Sequence, residues 1–297
     1  MKNIKYIVLI LVLIAIISIT ASAMLLFVSN GYDINAEEYQ VSENKTIDSA
    51  NVNSINIEVV SSDIEIVESL SENIEIYLTG QTTSKINERP ELKVTQEDDI
   101  VTIAVEYKTL RGTFFNFGGM HDINLKVALP KNIVDMKINT ISGDLDVSNF
   151  EFADFKFEGV SADANINNIK TNNFQFSAIS GDLTASNLET SAFVTETTSG
   201  NVKVSSLTAT STITNSISGD VNLDYTELEG GINVESVSGD IKFKLPSDSS
   251  FAIDFDTSSG DLTNQFTGMT TESIVMVNGG LHRMYVSTVS GDLSVSK

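Results

Sequence analysis

From Asp135 onward the apolar residues keep fixed offsets along the chain. Leu145 and Val147, Ala164 and Ile166, Leu183 and Ala185, Val202 and Val204, Val221 and Leu223, and Ile241 and Phe243 each follow the same turn phrase in an apolar-polar-apolar alternation. Period two is the signature of a strand with one buried face. A second set lies upstream of each phrase: Met136 and Ile138, Phe155 and Phe157, Phe174 and Phe176, and Phe193 with Thr195. Phenylalanines at one offset predict an internal stack. The next copy places Thr212 and Thr214 there, with Ile213 between them, which predicts a register shift or a polar spot in that coil.

The turn phrase is Ser-Gly-Asp. It stands at Ser142-Gly143-Asp144, Ser180-Gly181-Asp182, Ser218-Gly219-Asp220, Ser238-Gly239-Asp240, Ser259-Gly260-Asp261 and Ser290-Gly291-Asp292, with variants Ser161-Ala162-Asp163 and Ser199-Gly200-Asn201. Successive acids, or Asn201, are spaced 19, 19, 19, 19, 20, 21 and 31 residues apart. Such a period marks a repeat architecture, and no helical spacing persists within it. Two more corners follow in each copy, at Ser148-Asn149, Asn167-Asn168 and Ser186-Asn187, then at Ala153-Asp154, Asn172-Asn173 and Ser191-Ala192. Gly and Asn tolerate positive φ, and Ser, Asn and Asp bond nearby backbone. Three short sides per coil of about 19 residues predict an all-β, three-sided β-solenoid, with coils rising about 4.8 Å each. Because every other copy carries Gly at this corner, Ala162 is expected at a distorted corner or at negative φ, with Gly143 and Gly181 left-handed.

Upstream, Ile55, Ile57 and Val59, Ile64 and Ile66, and Ile74, Ile76 and Leu78 alternate in the same way, and Ser61-Ser62-Asp63 echoes the phrase. The solenoid is therefore expected over 51–297, with irregular coils over 51–135, regular ones over 136–245 and looser ones over 246–297. Before it, Tyr6 to Val28 is 23 residues without a charge, long enough for a membrane-spanning helix. Lys2 and Lys5 precede this run and an acidic linker, 30–50, follows it. The positive-inside rule then predicts a cytoplasmic stub and anchor over 1–29 and an extracytoplasmic remainder. Cleavage near Ala21-Ser22-Ala23 is the competing expectation. The chain has no cysteine, so neither a lipid-modified cysteine nor a disulfide holds it.

A formal charge of -22 with pI near 4.3 repels nucleic acid and anionic lipid and keeps a long β stack soluble. Two histidines, three arginines and no tryptophan offer little for catalysis. Acids that repeat with a turn behave as structural residues, and no nucleophile set, phosphate loop or zinc spacing is present. The reading is non-catalytic, with no cofactor. Two alternatives are a β-helix enzyme acting on envelope or extracellular polysaccharide, and a calcium-binding repeat protein built on the acid column. One segment breaks the alternation: 110–122, where Phe114, Phe115, Phe117 and Met120 sit among glycines. It serves either as a partner-contact loop or as a plug for one end or side of the solenoid.

Val127-Ala128-Leu129-Pro130 leading to Ile141-Ser142-Gly143-Asp144-Leu145, Leu245-Pro246 leading to Ser259-Gly260-Asp261-Leu262, and the closing Val289-Ser290-Gly291-Asp292-Leu293 resemble a family of candidate adhesins of the bacterial envelope, rich in SGD repeats and β-strands. The resemblance implies a membrane-anchored adhesin-like binding or scaffold module, linked to envelope stress, with an envelope protein or polysaccharide as partner and no established enzymatic activity.

Overall fold

A computed structural model describes residues 38–82, 89–107, 121–270 and 274–297. Every regular element among them is a β-strand. The heart of the molecule is a stack of five long segments, Leu145–Gly159, Ala164–Ala178, Leu183–Thr197, Val202–Ser218 and Val221–Ser238, each paired in parallel with the next. Phe155 lies against Phe174 and Phe174 against Phe193, one 19-residue coil apart.

Burial along one coil shows why a single strand assignment hides three sides. Leu145 and Val147, Phe150 and Phe152, and Phe155 and Phe157 are buried, and the residues between them are not. Alternation holds within each pair but jumps phase by one residue at Asn149 and again between Ala153 and Asp154. Pairing lapses at both points in the following coil, at Asn168 and Asn172. The first corner turns on left-handed residues, Asn149, Asn168, Asn187 and Ser206 (φ 67°, 52°, 52° and 58°), a conformation that Asn enters more readily than most residues. At the second, the inward Thr171 hydroxyl lies 2.9 and 3.0 Å from the carbonyls of Ala153 and Asn173, and Thr190 repeats the arrangement. These hydroxyls serve carbonyls that the broken ladder leaves free.

Thr212 and Thr214 keep register, opposite Phe193 and Thr195. They make the polar spot: Thr195 Oγ1 donates to Thr214 Oγ1 at 3.0 Å, and Thr212 shares a 2.8 Å bond with the buried Tyr225 hydroxyl. The register shift comes one coil later, where Leu207 pairs with Tyr225 but Ser211 pairs with Gly231. That slip on the second side accounts for the 20-residue interval.

Both ends depart from simple stacking. Ser54–Glu58 lies in parallel between Ile100–Tyr107 and Asp135–Thr140, while Asn73–Thr82 pairs antiparallel with Tyr39–Asp48 and His121–Leu129. At the other end the final strand, Leu293–Ser296, inserts between Ile241–Lys244 and Leu262–Asn264. Sequence order and stacking order therefore part company there. Phe266 closes over Phe251 with ring centroids 5.1 Å apart, edge to face.

The apolar run 6–28 lies outside the described residues, as does 110–120. No helix among the described residues is long and apolar enough to cross a membrane.

Candidate interaction surface

The Ser-Gly-Asp corners stack into one column down the molecule, and the acid's role there is explicit. The N–H of Asp144 donates to Asp63 Oδ1 at 3.1 Å, that of Asp163 to Asp144 at 2.9 Å, and that of Asp182 to Asp163 at 2.8 Å. Asn201, Asp220 and Asp240 continue the series at 2.7, 2.9 and 2.9 Å. It ends through Asp292 on Asp240 at 3.2 Å and Asp261 on Asp292 at 2.9 Å. Each side chain thus accepts the backbone N–H that the next corner would otherwise leave without a partner. Asn201 does the same with an amide oxygen, so the position requires an acceptor rather than a charge. Among the described residues no group of three or more acids and histidines is placed to hold a metal ion.

The glycine of the phrase acts differently from the expectation. Gly143 and Gly181 lie outside the left-handed region; Gly219, Gly239 and Gly291 carry positive φ. What Gly143 and Gly181 supply is room: a Cβ on Gly143 would sit 1.9 Å from the Ser62 carbonyl oxygen, and one on Gly181 1.8 Å from that of Ala162. Stacked corners touch backbone to backbone. Ala162 does avoid positive φ, and its methyl is fully buried inside the coil.

The serines of the phrase, Ser142, Ser180, Ser218 and Ser238, lie on the outer rim of this column. Ser142 and Ser180 donate their N–H groups to Val60 and Val160 carbonyls at 2.9 and 2.8 Å. The loop residues Phe114, Phe115, Phe117 and Met120 lie outside the described residues.

A groove of about 530 Å³ runs along a different corner. Its lining includes the left-handed column Asn149, Asn168, Asn187 and Ser206 and, two residues on in each coil, Glu151, Lys170, Glu189 and Thr208, with the buried Phe150, Ile169 and Leu188 between them. Asn168 Nδ2 donates to Asn149 Oδ1 at 2.8 Å. Lys170 and Glu189 meet at 2.6 Å, and the hydrogen bond and charge of Glu189 raise the Lys170 ammonium above the ordinary lysine value. Four successive coils thus present amide, carboxylate, ammonium and hydroxyl groups at matched offsets along the groove. The charged lining residues gave no sequence signal, because outward positions of a strand carry no hydrophobic period.

The family model described as Toastrack DUF4097 matches residues 52–296. Among solved structures, the chain is similar to a candidate adhesin from Parabacteroides merdae (11% identity, 89% of this chain and 98% of that one, TM-score 0.53). It is similar also to a candidate adhesin from Bacteroides fragilis (12%, 88% and 98%, 0.50) and to a candidate lipid-binding protein from Parabacteroides distasonis (14%, 89% and 98%, 0.52). At such identities the likeness speaks for the fold. No curated protein matches the chain.

Proposed function

The chain belongs to the Toastrack DUF4097 family, and from that premise we propose that it is a non-catalytic, adhesin-like binding or scaffold module of a bacterial cell envelope. In this reading the apolar run 6–28 is a single membrane anchor, the N-terminus is cytoplasmic and the solenoid stands outside. The observation that carries the proposal is the use made of the repeated acids. Their carboxylates are engaged, coil after coil, in accepting backbone N–H groups, so the most regular chemistry on the molecule builds length and rigidity. A rigid column with a polar groove spanning four coils suits recognition of an extended envelope polymer, protein or polysaccharide, by many weak contacts rather than by one pocket.

The test uses the full chain in phosphatidylcholine nanodiscs, passed over immobilised envelope polysaccharide and over immobilised envelope proteins. Retention on one of these, lost when Glu151, Lys170 and Glu189 are all changed to alanine, is the expected result. Retention on neither, or equal retention of the triple variant, defeats the assignment of the groove. A reporter active only outside the cytoplasm, fused after Lys297, checks the orientation independently.

A further inference from the structure

A second column runs beside the acid ladder on the outer face of the stack. Three residues before the acid stand Ile141, Val160, Ile179, Ile217, Val237 and Val289, with Thr198 within the column and Ser258 beyond Val289 as its polar members. Backbone bonds from Ser161 to Ile141, Ser180 to Val160 and Ser199 to Ile179, at 2.7 to 2.8 Å, set these residues one above another. Pairing of Ser218 with Ser238 and of Ser238 with Ser290 carries the column on to Val237 and Val289. Ile141, Val237 and Val289 are 48%, 38% and 53% exposed; Val160, Ile179 and Ile217 are half-buried. Strand preference alone does not account for the pattern. Thr198 is β-branched, fits the same corner and is polar, so a solvated face had that choice in every coil. An apolar strip of this length left partly open to solvent, interrupted at Thr198, marks a contact.

Acids lie on both sides of the strip, in six coils of seven along the ladder and in three of seven on the opposite side. Two residues earlier on the same outer face stand Glu158, Glu196 and Glu235, alternating with Asn139, Ser177, Asn215 and Ser287 in the other coils; Glu158 is offset by Lys156 and Lys137 at 3.0 and 3.6 Å. On the other side runs the acid ladder, where Lys242 reaches Asp240 at 3.7 Å. With a formal charge of -22 over the chain, a second copy or an anionic membrane would bring acid against acid. A partner that satisfies both features is apolar along its middle and basic along both edges.

Length selects its form. Six steps of about 4.8 Å make the strip about 29 Å long, the length of a helix of about 19 residues. Helical turns repeat at about 5.4 Å, near the coil spacing, whereas same-face residues of an extended strand recur at about 6.7 Å. We infer that this strip is a docking surface for a cationic amphipathic helix of about five turns, its apolar ridge along the valine and isoleucine column and its lysines or arginines against the two acid borders. The surface is distinct from the groove at the asparagine corner and does not depend on it.

The probe is a fluorescent leucine-lysine amphipathic helix of about 20 residues, with a leucine-glutamate helix of the same pattern as its counterpart. Both are titrated by anisotropy against the full chain in phosphatidylcholine nanodiscs, with empty discs as the blank. The leucine-lysine peptide should bind and the leucine-glutamate peptide should not. Changing Ile141, Ile179 and Ile217 to threonine leaves the charge untouched and uses a residue the column already contains; it should weaken binding at least tenfold. Equal affinity for that variant, or equal binding of the two peptides, overturns the inference. If the threonine variant melts early, Glu196→Lys with Glu235→Lys probes the same strip from its acid border: affinity for the leucine-lysine peptide must fall beyond the change produced by a matched charge reversal at Glu151 and Glu189, and an equal fall in the two overturns the inference as well.

Discussion

The N–H of Asp163 donates to the Oδ1 of Asp144, 19 residues earlier and one coil away, at 2.9 Å. Neither residue could make this bond within its own coil. The Asp163 carbonyl still accepts from the Leu145 N–H at 2.9 Å, while its own N–H is taken by the preceding coil's side chain. The column places like charges about one coil spacing, about 4.8 Å, apart, a repulsion set against one hydrogen bond from N–H to carboxylate at each step.

Asp182 accepts from the Asn201 N–H at 2.7 Å and lies 3.3 Å from its side-chain amide. Asp182→Asn keeps an acceptor, as Asn201 itself does, and should leave the melting temperature nearly unchanged. Asp182→Ala leaves that N–H without its partner and should cost about 1 kcal/mol. Urea denaturation of both variants checks the pair; equal losses would show that charge, not acceptance, is what the ladder needs.

The glycine at the same corner answers to space. Gly181→Ala drives a methyl into the Ala162 carbonyl, 1.8 Å from its oxygen, and backbone held by ladders on both sides cannot withdraw. A loss of at least about 2 kcal/mol is expected. Ala162→Gly removes a buried methyl and adds unfolded-state freedom, for about 1 kcal/mol. Thermal melts that rank the two in the opposite order would refute the close-approach explanation.

Phe174 is stacked between Phe155 and Phe193, with centroids 5.4 and 5.5 Å away and planes within 6° and 9°. Phe174→Ala should cost about 3 to 5 kcal/mol, since neighbours fixed by their own coils cannot both collapse into the gap. In a stack whose stability passes between nearest neighbours, the loss should also split the unfolding into two transitions. Calorimetry showing one unshifted transition would be incompatible with an internal ladder.

The regular coils were legible because their inward pairs are apolar and their corners use Asn, Gly and Asp. Leu145 with Val147 and Phe155 with Phe157 announce the first and third sides. The second side was harder to read. Its inward pairs are Phe150 with Phe152, Ile169 with Thr171, Leu188 with Thr190 and Leu207 with Ala209, so one member of most pairs is polar or small and the alternation fades. Thr171 and Thr190 are there to bond corner carbonyls, a need that arises only once the coil is closed. The glycine expectation failed for a related reason: φ is a local property that a turn residue suggests, whereas the carbonyl facing Gly181 belongs to another coil. Nor does any local signal tell that Asp292 stacks between Asp240 and Asp261. That insertion depends on which edge remains open after the chain has turned back, and a 31-residue interval in sequence is compatible with many such returns. Of the groove, the asparagine column was visible as a corner, and the charged residues beside it were not.

Tyr225 ties the polar spot in the core to pH. It is buried, its hydroxyl shares a 2.8 Å bond with Thr212, and desolvation pushes its phenol pKa well above the ordinary tyrosine value, with the Thr212 bond acting weakly the other way. The folded protein therefore holds this proton more tightly than the unfolded chain, where a tyrosine titrates near about 10. The resulting stabilisation is fully present below that pH and is lost as the pH rises through and beyond it, because the unfolded state gives up the proton first. Tyr225→Phe removes this dependence while leaving the Thr212 hydroxyl without its partner, at a cost of about 1 to 2 kcal/mol at neutral pH. Stability measured by urea titration from about pH 8 to about pH 11, a range that brackets the unfolded tyrosine pKa, should fall more steeply for the wild type than for Tyr225→Phe, so that the gap between them narrows at the alkaline end. Parallel curves across that range would place the Tyr225 hydroxyl in water and with it undo the polar contact between the fourth and fifth coils.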